Sequence, residues 1–252
     1  MSLQACANLV ARTDPDRFAA VMASPISARK VLLPVYAAAA EVARAPWLTQ
    51  EHVIAEMRLQ WWRDVFEEIE EGNPRRHEVV DALAEVLTAK GAKSMDTMVL
   101  ARRWDIYKEG FKNPESLLKH VRDIALGPLV ANLDALGDLP STAEELHGTA
   151  TQLGLAKFLR GVPALISLNV PVWSQDEKVS IYSDLCQNVM AMPPYRGSSP
   201  ALIEVVGACK VLSFVANKPA TVEMDAIPPF ALHTTLGRML AAWKTTKSLY
   251  FL

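Results

Sequence analysis

Glu56-Met57-Arg58-Leu59-Gln60-Trp61-Trp62-Arg63-Asp64 is the most distinctive stretch of the chain. It lies in a run from about residue 50 to 71 without proline or glycine, rich in good helix formers, and reads as one helix opened by Thr49. Adjacent side chains on a helix point about 100° apart, so Trp61 and Trp62 cannot share one narrow stripe. One reading makes them a wide buried face flanked by exposed ion pairs. The other makes them the wall of a pocket. Arg58 and Asp64 are too far apart for a one-turn pair, while Glu56 and Arg63 bracket the tryptophans.

The pattern extends outward from this helix. Asp14-Pro15, Asn113-Pro114 and Ser199-Pro200 each put a capping side chain before a proline at the first helical position. Ser141 with Glu144 fits a capping box. Gly72, Gly91 and Gly137 stand where helices should stop. The expected helices cover about 3–12, 15–23, 26–45, 50–71, 77–90, 95–110, 114–136, 142–168, 176–190, 200–216 and 228–246, the first two counting as two helices or one broken one. Strand-like alternation is scarce. The expected class is all-α, in one domain over residues 1–252, with no repeat and no long linker.

Composition narrows the function. The chain has 252 residues, half of them hydrophobic and 21% charged, enough for a sizeable core. A net charge of −2 gives no basic footprint for nucleic acid, so no nucleic-acid partner is expected. No apolar run reads as a membrane span. The N-terminal sequence lacks a signal peptide's apolar core, and the three cysteines, Cys6, Cys186 and Cys209, form neither a pair motif nor a disulfide framework. A cytoplasmic protein is expected; the apolar Leu249-Tyr250-Phe251-Leu252 raises the further expectation of a peripheral position at the inner face of a membrane. The five histidines have no HxxxH or HExxH spacing, and GxGxxG, GxxxxGK[ST] and GxSxG are absent.

Two more clusters stand out. In Ala101-Arg102-Arg103-Trp104-Asp105-Ile106-Tyr107, Arg102 and Asp105 are three apart, close enough for a helical ion pair. In Gln152-Leu153-Gly154-Leu155-Ala156-Lys157-Phe158-Leu159-Arg160-Gly161-Val162-Pro163, Gly154 and Ala156 allow a neighbouring helix to approach closely. Pro163 should kink or end the helix, with Arg160 just before the break, either solvated or facing an anion.

Together these clusters resemble the squalene/phytoene synthase family, over about Asp14 to Arg238. The stretch Leu32 to Arg44, including Tyr36, followed by Trp62-Arg63, resembles the family's first signature. Ala101-Arg102-Arg103-Trp104-Asp105 resembles its AR-aromatic-D segment. Leu153-Gly154-Leu155-Ala156 with Leu159-Arg160 resembles its second helix signature. The resemblance implies an isoprenoid-synthase-like helical bundle around a central apolar cavity, with Tyr36, Arg58, Trp61, Trp62, Arg63 and Arg160 as candidates for the cavity wall or for anion binding. Members of the family join two prenyl diphosphates head to head, using magnesium ions on two aspartate-rich motifs to stabilise the leaving diphosphate.

This chain departs from the family there. The first aspartate positions fall at Ala43, Arg44 and Trp47, and the second at Gly161, Ala164 and Leu165. None offers a carboxylate. A non-catalytic branch of the family, which includes the mitochondrial assembly factor for respiratory complex I (NADH:ubiquinone oxidoreductase) and its bacterial relatives, carries phrases similar to Glu56–Asp64 and to Leu159-Arg160-Gly161-Val162-Pro163. The resemblance therefore implies a pseudoenzyme without catalytic residues, metal or cofactor. Its expected partners are complex I subunits or assembly intermediates. Two alternatives stay open: an active prenyl transferase, which would require magnesium, and a protein that binds a prenyl lipid.

Overall fold

In the computed structural model, residues 3–228 are described, apart from 176–177. The expected helix over 228–246 and the C-terminal Leu249–Leu252 lie outside the described residues. The described residues form α-helices joined by short 3-10 turns, with no β-strand; the one bridge joins Phe111 to Trp173. The helices are α1 Leu3–Thr13, α2 Pro15–Met22, α3 Ile26–Arg44, α4 His52–Glu70, α5 Val80–Leu83, α6 Ala89–Ala101, α7 Trp104–Tyr107, α8 Pro114–Ala135, α9 His147–Ser167, α10 Ile181–Met190 and α11 Ile203–Asn217. The all-α class is as expected.

Local chemistry sets most boundaries. Asp14 ends α1 and caps α2, its carboxylate accepting from the Arg17 N–H at 3.0 Å, so the first two helices are separate. Asn113 caps α8 in a reciprocal box with Ser116. Gly72 and Gly137 follow α4 and α8 with φ of 78° and 75°, a conformation that glycine adopts without strain.

Other boundaries differ from the sequence reading. Thr49 does not cap α4; its hydroxyl accepts from the Glu51 N–H, and the helix opens at His52. The capping box is Thr142 with Glu145, one residue later than Ser141 with Glu144. The expected helix over 77–90 shrinks to α5. Thr88 then starts a new helix, accepting from the Gly91 N–H and donating to Asp134, so Gly91 sits inside α6. Lys108, at φ 57°, stops α7 before residue 110. Pro163 does not end α9, nor Pro34 α3 or Pro128 α8.

One large core runs through the bundle, with a small satellite of Ala19, Ala20, Ala23 and Ile203 between α2 and α11. At its centre α8 and α9 pack closely. A Cβ added at Gly154 would lie 2.1 Å from the Val121 carbonyl oxygen, so only glycine permits this approach. Pro200–Asn217 is long and apolar enough to cross a membrane, unlike the sequence reading, but half of it is buried among the other helices. It packs on α9 and α10 and carries the buried Glu204.

Candidate functional site

A central cavity of about 470 Å³ opens between the C-terminal half of α3, the α6–α7 junction, α8 and α9. Its apolar wall includes Ala39, Met98, Val121, Ile124, Phe158 and Leu165. A second lobe of about 360 Å³ shares Asp14, Arg17, Arg102, Lys157 and Gly161 with the first, and reaches α11.

Asp14, Arg17 and Lys157, which line both lobes, belong to a buried network with Tyr36 and Glu204. Arg17 Nε donates to Glu204 Oε2 at 3.1 Å, and Tyr36 Oη donates to Glu204 Oε1 at 3.0 Å. Lys157 Nζ donates to Asp14 Oδ2 at 2.6 Å and stands 3.6 Å from Glu204. The Arg17 guanidinium also covers the Tyr36 ring at 4.2 Å. Of these five residues, only Tyr36 had been a candidate. Asp14 was visible as a cap and Lys157 as part of the third cluster; no local pattern singled out Arg17 or Glu204.

These groups share one electrostatic logic. Burial would raise the Asp14 carboxyl, but Lys157 and Arg17 outweigh it and hold it at about 2. Burial likewise opposes ionisation of Glu204, and Arg17 with Lys157 reverse that effect, lowering its pKa. Burial and the Glu204 carboxylate push the Tyr36 phenol well above its ordinary range. Arg17 is held protonated, its two carboxylates overcoming desolvation.

On the opposite wall Arg102 donates to Asp105 at 3.1 Å, the expected i,i+3 pair, while its buried Nε has no partner among the described residues. Burial raises Asp105 against the pull of Arg102. Burial, with Arg102 close by, lowers His120 to about 3, so this cavity-lining imidazole is neutral. His120 packs on the stacked rings of Trp104 and Phe111.

Ala43, Arg44, Trp47, Gly161 and Leu165 all line the main lobe; Ala164 is exposed on the outside of α9. Arg160 borders the second lobe, where it pairs with Asp16 at 3.1 Å and donates to the carbonyls of Ile227 and Pro228. The tryptophan segment goes elsewhere. Trp62 is buried in the core; Trp61, Trp62 and Arg58 line a separate cleft at the surface with Met57 and His77. Arg63 makes a two-point pair with Asp96, 2.6 Å at Nε, across α4 and α6. Arg58, Trp61, Trp62 and Arg63, expected at the cavity wall, therefore lie away from it on α4, and Tyr36 is buried in α3 without lining either lobe.

Magnesium is a poor fit to the cavity. The carboxylates Asp14, Asp105 and Glu204 are each committed to a cation, and Asp16 to Arg160. Among the described residues no group of three or more His, Cys, Asp or Glu side chains is arranged to hold a metal ion.

The profile of the squalene/phytoene synthases matches residues 10–177, two thirds of the chain. The chain belongs to the squalene/phytoene synthase family. The bundle is similar to a dehydrosqualene synthase solved in complex with ligand, with a TM-score of 0.65, 12% identity, and coverage of 97% of this chain and 95% of that one. It is also similar to the squalene synthase HpnC from Alicyclobacillus acidocaldarius, with a TM-score of 0.58, 14% identity, and coverage of 97% and 92%. At such identities the likeness is one of fold. No curated protein matches the sequence. Of the six positions that the resemblance sets against the family's aspartates, Ala43, Arg44, Trp47, Gly161 and Leu165 face a cavity, and Ala164 does not.

Proposed function

We propose that this squalene/phytoene synthase homologue is a pseudoenzyme that assists assembly of respiratory complex I, acting in the cytoplasm or at the inner face of the membrane. One observation carries the loss of catalysis: the donor set of the cavity. Expelling a diphosphate requires strong stabilisation of developing negative charge, and the family uses hard cations on clustered carboxylates for this. Here the cavity carboxylates are neutralised by Arg17, Arg102, Lys157 and Arg160. Arginine and lysine can bind a diphosphate, but ground-state binding alone does not accelerate its departure. The assembly role is supported by the resemblance of Glu56–Asp64 and Leu159–Pro163 to the non-catalytic branch.

Two measurements test this. Purified protein incubated with farnesyl or geranylgeranyl diphosphate and magnesium should release no pyrophosphate beyond a heat-denatured control. Release well above that control would instead support a prenyl transferase joining two prenyl diphosphates head to head. Deletion of the gene should lower complex I level and activity; unchanged complex I would remove the assembly role.

A second reading, a prenyl-lipid-binding protein, is favoured by the apolar wall of the main lobe. It expects an isoprenoid to co-purify with the protein, detectable by mass spectrometry of an organic extract.

A further inference from the structure

The cleft that holds the tryptophans is not part of the central cavity. It measures about 510 Å³ and lies between α4, the 3-10 turn Ala45–Leu48 and His77. Its base is a fixed aromatic group: Trp61 meets Trp62 edge-on at 5.0 Å, and both rings pack against the His77 imidazole. The Arg75 guanidinium, tied to Glu68, lies 5.2 Å from the Trp61 ring centroid. Ile54 and Met57 form the outer lip, with Val53 beside them. These three are 44%, 66% and 72% exposed, so the first two turns of α4 present a contiguous apolar surface to water.

Charge gives the cleft its sign. Its one acid, Glu41, is paired with Arg44 at 3.0 Å. Its one lysine or arginine, Arg58, is exposed and makes no hydrogen bond or ion pair among the described residues. Rigid tryptophans beside an uncommitted guanidinium match the composition of an energetic centre in a protein interface.

We infer that this cleft docks an apolar helical segment of a partner protein, with a carboxylate of that segment meeting Arg58. The choice of a protein as occupant rests on the assembly role; the geometry of the site does not.

Selection of a phage-displayed library of random peptides about sixteen residues long, on the full chain, tests it. The enriched peptides should carry apolar residues at helical spacing and at least one Asp or Glu. Their affinity should drop about tenfold or more in Met57→Glu and in Arg58→Glu. Exchanging the peptide's acid for lysine should restore binding to Arg58→Glu. Both substitutions are at exposed positions, and retention of the wild-type melting temperature checks folding.

No enrichment, or peptides that bind both variants undiminished, would overturn the inference. So would dimerisation of the wild type lost in Met57→Glu, which assigns the face to a second copy. Co-sedimentation with vesicles of anionic and zwitterionic phospholipid, lost in Met57→Glu, would assign it to a lipid surface and also overturn it. A normal complex I level after gene deletion, together with successful peptide selection, would remove the assembly role and leave the docking site standing.

Discussion

Arg17 and Glu204, 187 residues apart, meet in the interior with Nε 3.1 Å from Oε2. Both are nearly inaccessible to solvent. Removing one partner of such a pair leaves the other charged and buried. Glu204→Ala should therefore cost about 3–5 kcal/mol in urea-induced unfolding, and Arg17→Met a similar amount. Replacing both at once should cost much less than the sum, since no charge is then stranded. Strict additivity would mean that the two side chains act independently despite their contact.

The pH dependence of stability should show His120 and Asp14 in separate windows. His120 is held at about 3, below its ordinary 6.5. Between those values the unfolded chain takes up a proton that the folded protein refuses. Stability should therefore fall as pH drops below 6.5, by about 1.4 kcal/mol per pH unit from this group. Asp14, lowered from 3.8 to about 2, contributes fully above pH 4 and loses its contribution between about 4 and 2. Denaturant unfolding across pH should show His120→Phe flattening the upper window and Asp14→Asn the lower. An unchanged profile in both variants would rule out these assignments.

Close packing of α8 on α9 leaves no room for a side chain at Gly154. Its Cβ would meet backbone, the Val121 carbonyl, which cannot swing aside as a side chain would. Gly154→Ala should destabilise by about 1–3 kcal/mol or more, although alanine is the better helix former. A rise in melting temperature would contradict the close approach.

Restoring acids at the degenerate metal positions should not restore chemistry. Gly161 has open space where a side chain would project, and Ala43 lines the same cavity, so Ala43→Asp with Gly161→Asp should fold. The new carboxylates would stand near Arg17, Arg44, Arg102 and Lys157, without neighbours placed to orient them toward a metal. Pyrophosphate release in the presence of magnesium should stay at the level of the denatured control.

How much was legible depended on the distance between cause and effect. The caps at Asp14 and Asn113, the stop at Gly72 and the pair Arg102–Asp105 act within a few residues, and the sequence displays both partners together. The close approach at Gly154 was readable because a small residue permits it whichever helix arrives. The network of Arg17, Tyr36, Lys157 and Glu204 was not, because its members come from α2, α3, α9 and α11 and are joined only by packing. The tryptophan segment failed for a related reason. Periodicity says that two faces of α4 are apolar, and only its neighbours decide that one joins the core and the other lines an outer cleft. In the expected helix over 77–90, Thr88 instead opens α6, its hydroxyl held by Asp134, 46 residues away.

The link from Asp14 and Arg17 to Lys157 and Glu204 also dictates an order of events during synthesis. The N-terminal helices leave the ribosome early, yet Lys157 and Glu204, which complete the charge network of Asp14 and Arg17, are made much later. Until α11 emerges, seating α2 would bury the Arg17 guanidinium with Asp14 but without Glu204, its closer counter-ion, so the early helices should wait, loosely held and open to a chaperone. Completing the bundle then demands closure of contacts almost as long as the described chain, which sets a slow final step for an otherwise local, helical fold.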